Sequence, residues 1–367
     1  MSRSQRLGVA AALVDGAMVP GDVSIADGVV EQVGHPPGDG ARGVAVPGFV
    51  DWQVNGFGGV HFTGADAGAM GEAASALARA GIVFAAPTFL STDLAGYRRS
   101  LAELGGILAA DPTCGLTAAH LEGPFLSRAF AGAHDPSTFV AADPGLMRSL
   151  LDAGPVAMVT LAPELDGSAD VIAALVERGV TVSIGHSDAD AAAARFAQRC
   201  GATAITHCWN GHRRFAPRDP GPAGWALDTP GVTVGLVADG VHVAPEVVAL
   251  TFAVAPRRVA VTTDAIAPAG TDLEHWNGGG FHVEVAEGAA RLADGTLAGS
   301  VATPTRMLRE LERAGVDFAD AVHAMSAPQA QALGLGQWAV RPGDPAHVTV
   351  LADDHEVLAT WRNGVRL

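Results

Sequence analysis

The chain contains no lysine; all 23 of its basic residues are arginine. That excludes a Schiff-base lysine, a P-loop lysine and a carboxylated lysine bridging two metal ions. Cysteine is scarce too, with Cys114, Cys200 and Cys208 at no paired spacing. An odd, sparse set fits buried thiols in a reducing compartment rather than a disulfide framework. Positive charge is in short supply, since 23 basic against 39 acidic residues leave a net −16. Nucleic acids and anionic membranes are held mainly through Lys and Arg, so neither is an expected partner. No apolar run reaches the roughly 20 residues needed to span a bilayer. The N-terminal apolar stretch is broken by Asp15 and Gly16 and reads as a first strand pair rather than a signal-peptide core. A cytoplasmic protein is expected. The marks of a disordered chain are also missing: 49% of residues are hydrophobic and only 17% charged.

What is present falls into two patterns. Residues 1–46 read as short strands and turns, with a hairpin signal from Val23 to Val33 around Asp27-Gly28. The tail repeats that character: His347 to Leu351, Val357 to Arg362, then Asn363-Gly364 and Val365. Two similar ends around a different middle predict a small sheet built from both termini.

Between them, over about 47–335, strand-like runs recur at Phe49–Val54, Ile82–Thr88, Leu116–Leu121, Ala157–Leu161, Val180–Ile184, Ala202–His207, Val232–Val237 and Arg258–Thr263. Helical stretches such as Met70–Ala80, Ser168–Arg178 and Asp188–Cys200 alternate with them. Eight strands with intervening helices predict a parallel (β/α)8 barrel of the TIM type, with a doubly wound open sheet as the alternative. Polar residues follow the apolar runs: Asp51, Gln53 and Asn55; His120 and Glu122; His186; His207; Asp239 with His242; and Asp264. In such barrels the site is built at the C-terminal strand ends.

Glu122, His186 and His207 follow three different strands, and barrel closure can bring them together. Two imidazoles and a carboxylate are a common three-ligand set for a catalytic Zn²⁺ whose fourth position is left to water. Taken singly, each histidine is better explained as a satisfied core or capping residue. Asp264, at the end of the eighth strand, reads as a general base that becomes a general acid, or as an N-cap of the following turn. Met70, Met158, Met307 and Met325 sit in apolar stretches and read as core filler. Trp276, before three glycines, reads as part of a hairpin turn or of a mobile lid, the turn being favoured.

The segments Pro47-Gly48-Phe49-Val50-Asp51, His120-Leu121-Glu122-Gly123-Pro124-Phe125, Gly132-Ala133-His134-Asp135-Pro136, Gly185-His186-Ser187, Thr206-His207, Ala238-Asp239-Gly240-Val241-His242, Thr263-Asp264-Ala265 and Gly295-Thr296-Leu297-Ala298-Gly299-Ser300 resemble, in order, those of N-acetylglucosamine-6-phosphate deacetylases of the amidohydrolase superfamily. The resemblance implies a discontinuous small β-sandwich domain (1–46 and 336–367) and a metal-dependent catalytic barrel (47–335). It implies Glu122, His186 and His207 as metal ligands and Asp264 as catalytic acid/base. Substrate contacts implied in the same way are Ala133, His134, Asn210, Gly211, His242, Leu297, Ala298 and Gly299, with Arg218 as the phosphate-binding arginine. The implied reaction releases acetate from N-acetylglucosamine 6-phosphate, and a homodimer is implied in the same way.

Many amidohydrolases carry His-x-His on the first strand and hold two metals. Here that position reads Gln53-Val54-Asn55. Neutral amides bind divalent metals far more weakly than imidazole. One divalent ion is therefore expected, Zn²⁺ first, with Fe²⁺, Co²⁺ or Mn²⁺ also compatible, and Gln53 and Asn55 are expected to hydrogen-bond to water or the metal shell. The segment His212-Arg213-Arg214 departs from the family pattern. It reads either as a solvated basic turn or as a modified anion pocket for a different acidic sugar. The rival functions are a related N-acetyl sugar deacetylase, a cyclic-amide hydrolase of the dihydroorotase kind, and a sugar-phosphate-binding barrel without catalysis.

Overall fold

The computed structural model describes residues 4–367. Eight strands form one parallel sheet in chain order: Phe49–Val54, Ile82–Leu90, Ala119–Glu122, Val156–Leu161, Thr181–Ile184, Ala204–Ile205, Thr233–Leu236 and Val259–Val261. Helices lie between them, including Ala67–Arg79, Leu94–Ala110, Ser168–Glu177 and Ala191–Cys200. The reason for helix starts is local. Asp66, Asp93, Asp143, Asp190 and Thr303 each stand just before a helix and accept one of its free backbone N–H groups. Ala67–Arg79 buries Met70, Ala73, Ala74, Leu77 and Ala78, a stripe at helical spacing that packs on the sheet.

The barrel seam lies between the first and eighth strands and is joined mainly beyond their regular ladder. Asp264 N–H donates to Gln53 O at 3.0 Å and Asn55 N–H to Ala265 O at 2.7 Å. Below them the buried Asp51 carboxylate accepts from Thr262 Oγ1, from Thr263 Oγ1 and from Thr263 N–H (2.9 Å). Asp51, one of the polar residues that end the first strand, thus closes the barrel rather than facing the site. Burial raises its pKa against these hydrogen bonds.

The interior is layered. Trp52, Met158, Ala204 and Ala260 form an apolar layer backed by Ala332 and Leu333. Above it runs a buried polar chain: His120 Nε2 to Thr160 Oγ1 (2.7 Å), Thr160 to Thr206 (2.7 Å) and Ser183 to Thr206 (2.6 Å). Met70, Met158, Met307 and Met325 are all buried, as core filler should be.

The two termini build one six-stranded sheet in which Val348–Leu351 pairs with Val44–Pro47, itself beside Ala11–Val14. A three-stranded sheet holds Gln5–Arg6, Asp22–Ala26 and Val29–His35. Val9, Ala12, Val23, Ile25, Val348, Val350 and Trp361 form a common core.

Five strand expectations were too long, among them Val180–Ile184, Val232–Val237 and Arg258–Thr263, which trim to Thr181–Ile184, Thr233–Leu236 and Val259–Val261. Ala202–His207 shortens to Ala204–Ile205 because His207 takes a left-handed backbone (φ 28°) and turns off the ladder. Leu116–Leu121 becomes Ala119–Glu122, with Leu116 keeping only an isolated bridge to Ala85. The glycines after Trp276 do form a turn, between His275–Gly278 and Phe281–Ala286. They open a four-stranded antiparallel sheet that continues through Ala289–Arg291 and Leu297–Ser300. Phe281–Ala286 alternates as a strand does in the sequence, but its three partners are only three or four residues long, so periodicity gives little sign of them.

Candidate active site

A cavity of about 240 Å³ opens at the C-terminal strand ends. Glu122, at the end of the third strand, lies on its floor with His186 and His207, which follow the fifth and sixth. One carboxylate oxygen, Glu122 Oε1, is 3.0 Å from His186 Nε2 and 3.1 Å from His207 Nε2. All three residues are buried, and their ligating atoms lie within 4.8 Å of one another.

The protonation pattern follows from the other ring nitrogens. His186 Nδ1 is 2.8 Å from Phe130 O, and His207 Nδ1 is 2.7 Å from Asn210 O. A carbonyl only accepts, so both Nδ1 atoms carry hydrogens and both Nε2 atoms face Glu122, where a ring without a proton on Nε2 offers its lone pair. That is the tautomer a metal-binding histidine needs. Burial alone would lower the His207 pKa, but the hydrogen bond to Glu122 and its charge push it up to about 9. Burial would raise Glu122, yet the two histidines hold it well below the usual carboxylate range. The pocket therefore favours positive charge at the point where the three side chains meet, and the donor set fits a divalent cation. Gly211 makes the crowding possible: a Cβ there would lie 3.0 Å from His207 Cε1 and 3.2 Å from His186 Cε1.

Asp264 stands beside this group, 8% exposed and lining the cavity. Burial, reinforced by the negative Glu122, pushes its pKa up to about 6 against the pull of His207, His242 and Asn55. Such a carboxyl can exchange a proton near neutral pH. His186, His207 and Asp264 all have positive φ (48°, 28° and 47°). Backbones of that kind at non-glycine residues cluster at functional sites, where the surrounding structure imposes them.

The first-strand amides do something more specific than contact solvent. Gln53 Nε2 donates to Glu122 Oε1 at 3.1 Å, and Asn55 Nδ2 donates to Asp264 Oδ1 at 2.7 Å. Each thereby holds one of the two acidic side chains.

His134 is buried, with Nε2 3.8 Å from Glu122 Oε2 and Nδ1 accepting from Ser91 N–H at 3.4 Å. Burial and the neighbouring His186 push its pKa down to about 3, so it is a neutral ring with its hydrogen on Nε2. His242 Nδ1 is 2.8 Å from Asp239 Oδ2. Burial would raise Asp239, but His242 and two backbone N–H groups hold it near 2, which fixes the ring of His242 at the cavity wall. Ala133, Asn210, Gly211, Leu297, Ala298 and Gly299 line the same cavity. The last three are brought there by the four-stranded sheet, whose Ser300 N–H donates to Asp264 O at 2.9 Å. Asn55, Leu90, Gly132 and Thr296 also line it. Leu90 and Gly132 carry no chemical signal in the sequence that could have marked them.

Arg218 is the exception among the expected site residues. It is exposed and does not line the cavity. The chain reverses between Ala216 and Asp219, whose backbones pair at 2.9 and 3.1 Å, and this turn carries Arg218 outward. Arg213 is engaged by Asp188 (3.1 Å) and Asp219 (3.5 Å), and Arg214 is exposed. Neither Arg213 nor Arg214 lines the cavity of its own chain. His212 is buried and bonded to Thr206 O at 2.8 Å.

No protein-family model matches the sequence. A rat (Rattus norvegicus) N-acetylglucosamine-6-phosphate deacetylase is 35% identical over 337 residues, covering 88% of this chain and 82% of the relative. The chain belongs to the N-acetylglucosamine-6-phosphate deacetylase family. An N-acetylgalactosamine-6-phosphate deacetylase from Escherichia coli O157:H7 is 30% identical over 349 residues and covers 93% of each chain. The Mycobacterium smegmatis deacetylase, solved as a variant in complex with N-acetyl-D-glucosamine-6-phosphate, has a TM-score of 0.91 at 33% identity over 99% of both chains.

Proposed function

We propose that this chain hydrolyses the acetamide of N-acetylglucosamine 6-phosphate to acetate and glucosamine 6-phosphate. The observation that carries the reading is the buried meeting point of Glu122, His186 and His207 with Asp264 beside it, at the cavity floor. Glu122, His186 and His207 would hold one divalent ion, Zn²⁺ by the nature of the donors, with Fe²⁺, Co²⁺ and Mn²⁺ separated from it by metal analysis. Such an ion, when bound, supplies Lewis acidity to a carbonyl oxygen and acidifies water. Asp264 accepts a proton from the attacking water and returns it to the departing amine nitrogen. Neutral His134 donates from Nε2 to the acetyl oxygen as negative charge develops there. Leu297, Ala298 and Gly299 lie against the sugar, while Asn210, Gly211, Ala133 and His242 line the rest of its cavity.

Arg218 is exposed and does not line the cavity of its own chain. A phosphate contact from this residue therefore depends on a neighbouring chain, and we tie it to a homodimer. The division into a terminal β-sandwich (1–46, 336–367) and a catalytic barrel (47–335), and a cytoplasmic setting, belong to the same proposal. No helix among the described residues is long and apolar enough to cross a membrane.

The test is acetate release from a panel: N-acetylglucosamine 6-phosphate, its galactosamine and mannosamine analogues, the unphosphorylated sugars and a cyclic ureide. The glucosamine phosphate should give the highest kcat/KM. The galactosamine analogue is the competitor that matters, because a 30% identical relative is named for it. Preference for an unphosphorylated sugar would remove the role given to Arg218.

A further inference from the structure

We propose that Asn55 is a positioning residue for Asp264. By holding Oδ1 it reserves Oδ2 as the oxygen that carries the transferred proton. The inference rests on the general-base reading of Asp264 given above.

The backbone of Asp264 is fixed on both sides, its N–H to Gln53 O at 3.0 Å and its carbonyl to Ser300 N–H at 2.9 Å, with φ at 47°. Its side chain is different. Among the described residues, Asn55 gives the carboxylate its one hydrogen bond, Nδ2 to Oδ1 at 2.7 Å. Asn55 is itself 3% exposed, and its backbone N–H is bonded to the carbonyl of Ala265, the next residue along. The donor is thus locked across the barrel seam from the group it holds.

The orientation of the Asn55 amide is dictated by charge. Its Oδ1 is buried and has no hydrogen-bond partner among the described residues. Flipping the amide would place two oxygens against each other unless Asp264 were already protonated there. With the NH2 group facing Oδ1, that oxygen is occupied by a donor and is a poor place for a further proton. A proton leaving water as its oxygen bonds to the acetyl carbon therefore goes to Oδ2. The same proton passes to the amide nitrogen as the C–N bond breaks, and the acetic acid and amine formed exchange a proton to give acetate and ammonium. Where many amidohydrolases place an imidazole ligand, this chain uses a neutral donor that acts through Asp264.

The experiment is a double-variant cycle on the metal-loaded enzyme: Asn55→Ala and the isosteric Asn55→Asp, each alone and with Asp264→Asn. Readouts are kcat, KM and metal content, with N-acetylglucosamine 6-phosphate as substrate. Loss of a hydrogen bond to a charged group predicts a kcat about 10- to 100-fold lower for each Asn55 variant. KM and metal content should stay within about twofold of wild type. In the Asp264→Asn background the further loss should shrink to under about twofold, because the two residues act as one unit. An equal loss in both backgrounds, a loss confined to KM, or loss of the metal would overturn the positioning role while leaving the function intact. Near-native turnover of Asp264→Asn alone would remove the general base, and this inference with it.

Discussion

The two ends of the barrel differ in a way that volume does not capture. The clefts at the N-terminal strand ends are large, about 820 and 830 Å³, and are lined by residues such as Arg257, His323, Gln331, Thr181 and Thr233. The cavity at the C-terminal ends is only about 240 Å³. Yet the smaller one holds the cluster of three ligating side chains and the buried, pKa-shifted Asp264. Side chains converge there because strand after strand ends in a polar residue just as it leaves the ladder. The difference teaches that a site is recognised by convergent chemistry and perturbed titration rather than by room.

The sharpest way to break that comparison is to remove the metal. Chelation, or Glu122→Gln, should abolish acetate release, and added Zn²⁺ should restore the chelated wild type but not the variant. Metal-free turnover above the uncatalysed rate would sink the assignment of the cavity. Next in size is Asp264→Asn, expected to lower kcat by about 10²- to 10⁴-fold with one ion per chain retained. Steady-state kinetics with metal analysis on one preparation checks both halves.

His120 sharpens the comparison from inside. It shares a strand with Glu122 but lies one step deeper, its ring satisfied by Trp52 O (3.0 Å) and Thr160. His120→Leu should destabilise the fold by about 1–3 kcal/mol through orphaned buried partners, while metal content is kept. Denaturant unfolding beside metal analysis decides this; metal loss at unchanged stability would make His120 part of the site.

The pH dependence has a definite sign. Burial pushes the His120 pKa down to about 4, below the 6.5 of the unfolded chain. Between these values the unfolded state binds the extra proton. Its contribution to stability is therefore complete above about 6.5 and is lost as pH falls toward 4, at about 1.4 kcal/mol per pH unit. Unfolding series of wild type and His120→Leu from pH 7 to 4 should converge on acidification, and parallel curves would refute the buried neutral ring. The smallest effect is expected at the other end of the barrel. Arg257→Ala should leave kcat and KM within about twofold, and a larger change would mean that the N-terminal clefts communicate with the chemistry.

Much of this was legible along the chain. The eight apolar runs with helices between them give the barrel, because strand and helix periods are local properties. The polar residues that close those runs give Glu122, His186, His207 and Asp264. His120 shows the limit, since it too follows an apolar run and nothing in its neighbours tells a ligand from a core residue. Only its layer does: Glu122 pairs in register with Thr160 and His120 with Met158, one repeat further into the barrel.

Residue identity and order thus determined which chemistry is available here: no lysine for a bridge, amides where a second imidazole pair would stand, and acids and histidines at successive strand ends. Tertiary structure decided who meets whom. The turn at Ala216–Asp219 aims Arg218 outward, the seam sets Asn55 against an aspartate 209 residues away, and the four-stranded sheet carries Leu297–Gly299 to the cavity. These outcomes depend on strand register and chain direction across the closed barrel. Contacts between residues so distant in sequence leave no trace in local periodicity.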